Sequence, residues 1–284
     1  MYKMQDKNEI KIDKVVEFIK QILIIKNKHQ QELFYRGHSN DRYRLIPSLF
    51  RENNLGQQIY SLQENILFKE LYMSEYKEFI NDKYTLDKLV RMQHYSMPTR
   101  LLDLTTNPLI ALYFACKSSI NIDENIGEVI VFFIDDEYVK YYDSDKVSCI
   151  ANLSRLSFEE KEAINFNIER ERFNQQPVIK KLLNFIREEK PFFEPKIEKT
   201  DLKDIICIKG IKNNFRVSSQ SGVFLLFGLH ANLEEVGNNY IQIKRIKIYN
   251  QKKILKELDL LNINESTVFP SIESTAKYIS DRLK

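Results

Sequence analysis

Residues 89–116 change character within one short stretch, and that change constrains the fold more than any other feature of the chain. Gln93, His94, Tyr95, Thr99, Arg100, Asp103, Thr105, Thr106 and Asn107 fall within fifteen residues. Asn107-Pro108 then opens a helix expected to run to about Ser118, since Asn is a good N-cap and Pro suits the first helical position. That helix is apolar almost all round, so it is expected to be buried. Polar side chains packed this densely before a buried helix suit the floor of a pocket better than a core. A second cationic cluster, Tyr35-Arg36-Gly37-His38, lies far upstream and is expected to face the same cleft. Together the two clusters point to an anionic small molecule.

Periodicity supplies the surrounding elements. Residues 9–26 carry apolar positions near helical spacing with a broad face. A short strand is expected at 32–36, broken by Gly37. Over 43–50, Pro47 argues against a central strand. Further helices are expected at 61–80 and about 86–95, the second ending before Pro98. The near-continuous apolar run from Gly127 to Asp135 reads as a central strand. Residues 158–189 read as mostly helical with an interruption near Pro177. Strand-like pieces follow at 205–208, 214–218, 223–227 and 240–246, then helices at about 250–261 and 271–283. The irregular stretch 143–157 reads as a surface loop or a cover over the site. No repeat or Gly/Ser linker marks a boundary, so one α+β domain is expected, with a mixed or antiparallel central sheet and flanking helices.

Composition removes several function classes. Lys and Arg total 43 against 40 Asp and Glu, a formal charge of +3, which lacks the basic excess of a bulk nucleic-acid binder. Cys116, Cys149 and Cys207 stand far apart in apolar surroundings, and His29, His38, His94 and His230 are not at metal-ligand spacings. Buried thiols and no metal site are therefore expected. No stretch approaches the roughly 20 apolar residues of a membrane span. The N-terminus leads into a charged helix without the apolar run of a signal peptide, so a cytoplasmic protein with no membrane partner is expected.

At these residues the sequence resembles the FRG domain family, named for a Phe-Arg-Gly motif. The name motif is Tyr35-Arg36-Gly37, followed by Leu45-Ile46-Pro47-Ser48-Leu49-Phe50-Arg51 where the family carries a Pro-Ser-Leu-type string. The longest match runs from Met92-Gln93-His94-Tyr95-Ser96-Met97-Pro98-Thr99-Arg100-Leu101-Leu102-Asp103 to Asn107-Pro108-Leu109-Ile110-Ala111-Leu112-Tyr113-Phe114-Ala115. A third element is Gln220-Ser221-Gly222-Val223-Phe224 with Arg216 before it, and the ending Val268-Phe269-Pro270-Ser271-Ile272-Glu273 also fits. Tyr35 replaces the naming Phe, Ser96 stands where Gly is usual, and Leu104 stands where Trp is usual. The resemblance implies a single FRG-type domain over 1–284, with a motif core at about 27–120 completed by strands and helices at about 200–284. A more distant resemblance, in element order, is to ADP-ribosyltransferase folds. It implies an ADP-ribosyltransferase-like core with NAD as substrate, although the late acidic residue of those folds has no counterpart and Gln220 occupies the nearest position.

Each candidate carries a functional and a structural reading. Arg36 at a strand end suits a two-oxygen grip on phosphate, or an ion pair with a carboxylate such as Asp103. Gly37 would let a ligand approach the backbone closely. His94 and Tyr95 suit contacts to a ribose, or a helix cap; Gln93 suits a carboxamide, or a loop tie. Arg100 either faces an anion, with Asp103 orienting it, or pairs with Asp103 in the interior. Arg36, His38 and Arg100 would together supply the field for a pyrophosphate. Thr105, Thr106 and Asn107 precede a helix N-terminus, which binds anions but also needs a cap. Gln220 suits an acceptor-positioning amide. Glu32 and Glu128 are the nearest substitutes for the missing carboxylate and are expected to be ordinary surface or pairing charges. The expected function is thus an NAD-handling protein that transfers ADP-ribose to a protein or nucleic-acid acceptor or hydrolyses NAD, in a toxin or anti-phage setting. The alternative is a non-catalytic module that binds a nucleotide or a partner in the same cleft.

Overall fold

The apolar run at Gly127–Ile134 forms strand β4, and all eight of its residues are buried. A strand with both faces covered reads as continuous hydrophobic sequence because neither side meets water. The architecture is that of a computed structural model, which describes residues 10–29, 31–117, 126–210 and 219–283. β4 lies between β2 (Leu33–His38) and β8 (Ile241–Ile248), antiparallel to both; Val131 stands opposite Tyr35 on one side and Lys244 on the other. Among the described residues the sheet has eight strands in the order β1-β8-β4-β2-β3-β7-β6-β5. Its remaining strands are β1 (Ile10–Ile12), β3 (Leu101–Thr105), β5 (Val139–Tyr141), β6 (Ile205–Lys209) and β7 (Gly222–Phe227). The edge pairs β1–β8 and β5–β6 are parallel and the others antiparallel, so the sheet is mixed and the fold α+β.

Helices cover one face in two groups. Over β2, β4 and β8 lie α1 (Val15–Lys28), α5 (Pro108–Cys116) and α10 (Gln251–Leu260), which bury Phe18, Ile22, Leu112 and Ile254 against Tyr35, Val129 and Val131. Over β3, β6 and β7 lie α2 (Glu64–Ser74), α4 (Thr85–His94), α6 (Asp145–Ala151) and α9 (Pro177–Glu189), packed on Leu101, Ile206 and Phe224. Short helices α3 (Tyr76–Phe79), α7 (Phe158–Glu162) and α8 (Arg170–Gln175) flank this group, while α11 (Glu265–Val268) and α12 (Ile272–Arg282) follow α10. The opposite face packs Phe34, Leu102, Leu104, Ile130, Phe132 and Leu225 beneath Leu45 and Leu233 from two long connections. Strand alternation therefore places Arg36 and His38, which share parity with Phe34, on this loop-covered face.

Several local expectations change. The pattern at 9–26 divides into β1 and α1, and 61–80 divides into a short 3-10 turn, α2 and α3. Gly37 does not end its strand but lies inside β2. Residues 143–157 are neither loop nor cover: they form α6 and a 3-10 turn with Val147, Cys149, Ile150, Ala151 and Leu153 in the core. β3 falls in a stretch whose polar content hides its alternation. The expected strand at 214–218 lies outside the described residues. Asn107 caps α5 as expected, its side chain accepting from Leu109 N at 2.9 Å. Pro177 stands at the first turn of α9.

Candidate functional site: an arginine-lined cleft where the sheet parts

The centre of the sheet is its weakest seam. β2 and β4 pair over all six residues of β2, whereas β2 and β3 share the single pair Tyr35–Thr105. Beyond that pair the two strands separate. Arg36 reaches across the gap, its Nη1 donating to the Asp103 carbonyl at 2.7 Å where a ladder bond would otherwise run. The segment at 47–50 docks beside the start of β3, with Leu49 N donating to Thr99 O and Thr99 N donating to Ser48 Oγ, both at 3.2 Å. A cleft of about 1000 Å³ opens here, bounded by Arg36 and His38, the loop 39–53, the floor residues Glu64, Arg100 and Lys161, and the turn 227–232.

Its charge is lopsided. Among the described lining residues, seven Arg or Lys face three carboxylates, Glu52, Glu64 and Glu162. The floor settles its own charge: Glu64 accepts from Arg100 Nε at 2.7 Å and also pairs with Lys161. Burial pushes the Glu64 carboxyl up, but the two cations outweigh that and hold it below its usual range. Arg100, 1% exposed, gives its remaining nitrogen to Phe227 O at 2.8 Å. Arg36, Arg42, Arg44 and Arg51 differ: among the described residues none of these four side chains forms an ion pair with a carboxylate.

Arg36 is oriented from behind. Its Nε donates to Nε2 of buried His38 at 2.9 Å, which places the imidazole proton on Nδ1, 3.6 Å from Glu128. Burial lowers the His38 pKa and Glu128 only partly offsets it, so His38 is neutral and accepts. Burial also lowers the Arg36 pKa, opposed by Asp103, yet a guanidinium keeps its charge. Glu128 is fully buried, held by Arg245 and by Lys247 at 3.1 Å. It is a pairing charge rather than a surface one, and Glu32 pairs with Lys209.

The sequence brings Arg36, Gly37, His38 and Arg100 to one cleft, as the two-cluster reading expects. Their roles need correction. Arg100 pairs with Glu64 and not Asp103, so its guanidinium is committed to the interior. Gly37 is spared a side chain for α5, not for a ligand: a Cβ there would stand 1.9 Å from Ala111 O and 2.6 Å from Ala115 N. Gln93, His94, Tyr95, Thr105, Thr106 and Gln220 do not line the cleft. Gln93 ties the loop after α4, donating to Asp103 Oδ1 at 2.7 Å and accepting from Thr99. His94 and Tyr95 meet edge-on with ring centres 4.9 Å apart, and Tyr95 is exposed. Thr105 Oγ1 donates to Gln220 O at 2.6 Å, Thr106 N donates to Ser221 O at 3.1 Å, and Gln220 Nε2 donates to Val268 O at 3.2 Å, so these three stitch β3 to β7 and α11.

Arg42, Arg44 and Arg51 escape the sequence reading as site residues because exposed arginines on a loop carry no periodic signal; Arg42 and Arg44 are marked only by nearness to the Tyr-Arg-Gly motif, and Arg51 by ending the Leu45–Arg51 string. All three cysteines are buried, and burial pushes each thiol up. Among the described residues no group of His, Cys, Asp and Glu is placed to hold a metal ion, and no helix is long and apolar enough to cross a membrane. Compared with known families, residues 31–124 match the FRG domain, a span that contains every arginine of the cleft. No curated protein and no solved structure matches the chain.

Proposed function

The chain carries an FRG domain over residues 31–124, and on that footing we propose that its cleft binds a pyrophosphate-bearing nucleotide, with NAD the leading candidate. The activity proposed with it is transfer of ADP-ribose to a macromolecule or hydrolysis of NAD, in the toxin or anti-phage setting that the resemblance implies. One observation carries the binding claim. Arg36 stands at the parting of two central strands, aimed by His38, with no carboxylate in ion-pair contact among the described residues. A guanidinium held in that state offers its fork to phosphate oxygens. The volume, about 1000 Å³, suits a dinucleotide.

A second reading, a nucleotide-binding module without chemistry, has its own support. Of the three lining carboxylates, Glu64 is engaged by Arg100 and Lys161 and Glu162 stands 3.3 Å from His230, which leaves Glu52 at the rim without an ion pair among the described residues. His94 and Tyr95, expected to contact a ribose, and Gln220, expected to position an acceptor, lie outside the cleft. Incubation with NAD separates the readings. Nicotinamide release supports the enzyme, and a raised melting temperature without release supports the module. Arg36→Ala is expected to abolish the NAD-induced rise while the unliganded protein still melts cooperatively. If neither NAD nor ADP-ribose shifts the melting of the wild-type protein, both readings fall.

A further inference from the structure

The rim of the cleft carries more fixed charge than a pyrophosphate at Arg36 requires. Arg42, Tyr43 and Arg44 are consecutive and exposed, and exposed Arg51 faces them across the same opening. Exposed arginines are usually just solvated, so what matters is how their loop is held. Asp41 N donates to Ile126 O at 2.9 Å, and the Asp41 carboxylate pairs with Lys247 at 2.9 Å. Leu45 N donates to Glu235 Oε1 at 3.0 Å, and Glu235 in turn pairs with Arg245. Both cations close on Glu128, which is fully buried. Arg51 is steadied through Nε, which donates to Ile46 O at 3.2 Å. An ionic network anchored on buried Glu128 thus fixes the loop on either side of Arg42, Tyr43 and Arg44, while their heads stay open to solvent. Tyr43, 53% exposed, meets His38 edge-on at 5.9 Å, which turns an aromatic surface outward beside the guanidiniums.

We propose that Arg42, Arg44 and Arg51 form an outer phosphate site continuous with Arg36. The ligand then carries more nucleotide-linked phosphate groups than a pyrophosphate, in one chain or along a strand, with Tyr43 offering a stacking face to a base. Interleaved arginines and an aromatic side chain along a groove are the arrangement that follows a phosphate backbone and stacks its bases. This proposal rests on the inner anion site at Arg36 for its geometry, but its charge argument belongs to the rim. The same chemistry has two sources, a nucleoside polyphosphate or the 5′ end of a single strand of nucleic acid.

The test is a fluorescence titration with labelled ADP, labelled ATP and a 5′-phosphorylated four-nucleotide strand. ATP or the strand is expected to bind at least about tenfold more tightly than ADP, the gain of one or two charge-assisted contacts. Arg42→Ala/Arg44→Ala is expected to remove that gain and leave ADP affinity unchanged. If the strand is the tighter ligand and its log affinity falls with log salt at a slope of roughly −3, as for four arginine–phosphate contacts at Arg36 and the three rim arginines, nucleic acid is the source. If ATP is the tighter, the source is a nucleotide. Both arginines are exposed, so an unchanged melting temperature is the control, and Arg51→Ala gives an independent variant. Equal binding of all three ligands, or equal loss of affinity for all three in the rim variants, overturns the outer site. Rim-dependent binding of ATP or the strand without any binding of ADP overturns the inner reading and leaves the outer site standing.

Discussion

Arg36 and Arg100 are the same residue type in the same cleft, and their different fates come from their neighbours. Arg100 is surrounded by acceptors, Glu64 and Phe227 O, while Arg36 has a neutral imidazole and a backbone carbonyl. That the two meet was legible in the sequence, because both sit in dense polar motifs flanking apolar elements. Which of them stays available was not, since Glu64 lies on a helix 36 residues away with nothing around it to mark a partner. Ser96 shows the converse, a departure from the family pattern that the structure explains. It takes φ 66°, and it closes α4 with Ser96 N donating to Gln93 O and Met97 N donating to Met92 O. That is a helix end which wants a residue without a Cβ. Ser96→Gly is therefore expected to stabilise the protein by about 1 kcal/mol, read as a higher denaturant midpoint with an unchanged slope.

At the scale of elements, the packing of α5 on β2 governs the site. The Asn-Pro start and uniformly apolar sequence of α5 announced a buried helix, but not how close it comes. The contact of Gly37 with the backbone of Ala111 and Ala115 shows how close. Gly37→Ala is expected to cost about 3 kcal/mol or more through overpacking against main-chain atoms that cannot turn aside, measurable by chemical denaturation. A ligand-binding role for Gly37 would instead predict normal stability with lost affinity. β3 and α6 were illegible for opposite reasons. In β3, Asp103 and Thr105 interrupt the apolar alternation because that face meets the Gln93 tie and the β7 seam. In α6 the apolar positions are too few to display a period, and only the packed core reveals them as interior.

Across the whole molecule, stability is tied to carboxylates and an imidazole held in the interior. Glu64 titrates below its usual range because Arg100 and Lys161 outweigh burial, Glu128 because His38, Arg245 and Lys247 together do so, and burial holds His38 below its own. All three therefore bind fewer protons folded than unfolded at acid pH, so stability falls as pH falls. The loss is expected to begin below about 6.5, where unfolded His takes its proton, and to steepen below about 4.5 as the unfolded glutamates take theirs. Urea midpoints measured from pH 8 to 4 check this, and His38→Gln removes the first part of the decline. A midpoint that stays flat down to pH 4 contradicts the assignment. The α+β class was readable from periodicity, which left the sheet mixed or antiparallel, whereas the strand order was not, because pairing joins residues up to 236 positions apart, as between Ile10 and Ile246. One consequence of that order concerns mechanics. The strands divide into two leaves of four, β1-β8-β4-β2 and β3-β7-β6-β5, which share a single ladder pair, Tyr35–Thr105, and the bridge from Arg36 to the Asp103 carbonyl. A molecule seated in the cleft would touch β2 through Arg36 and the start of β3 through Arg100, and so span the seam that the backbone itself barely closes.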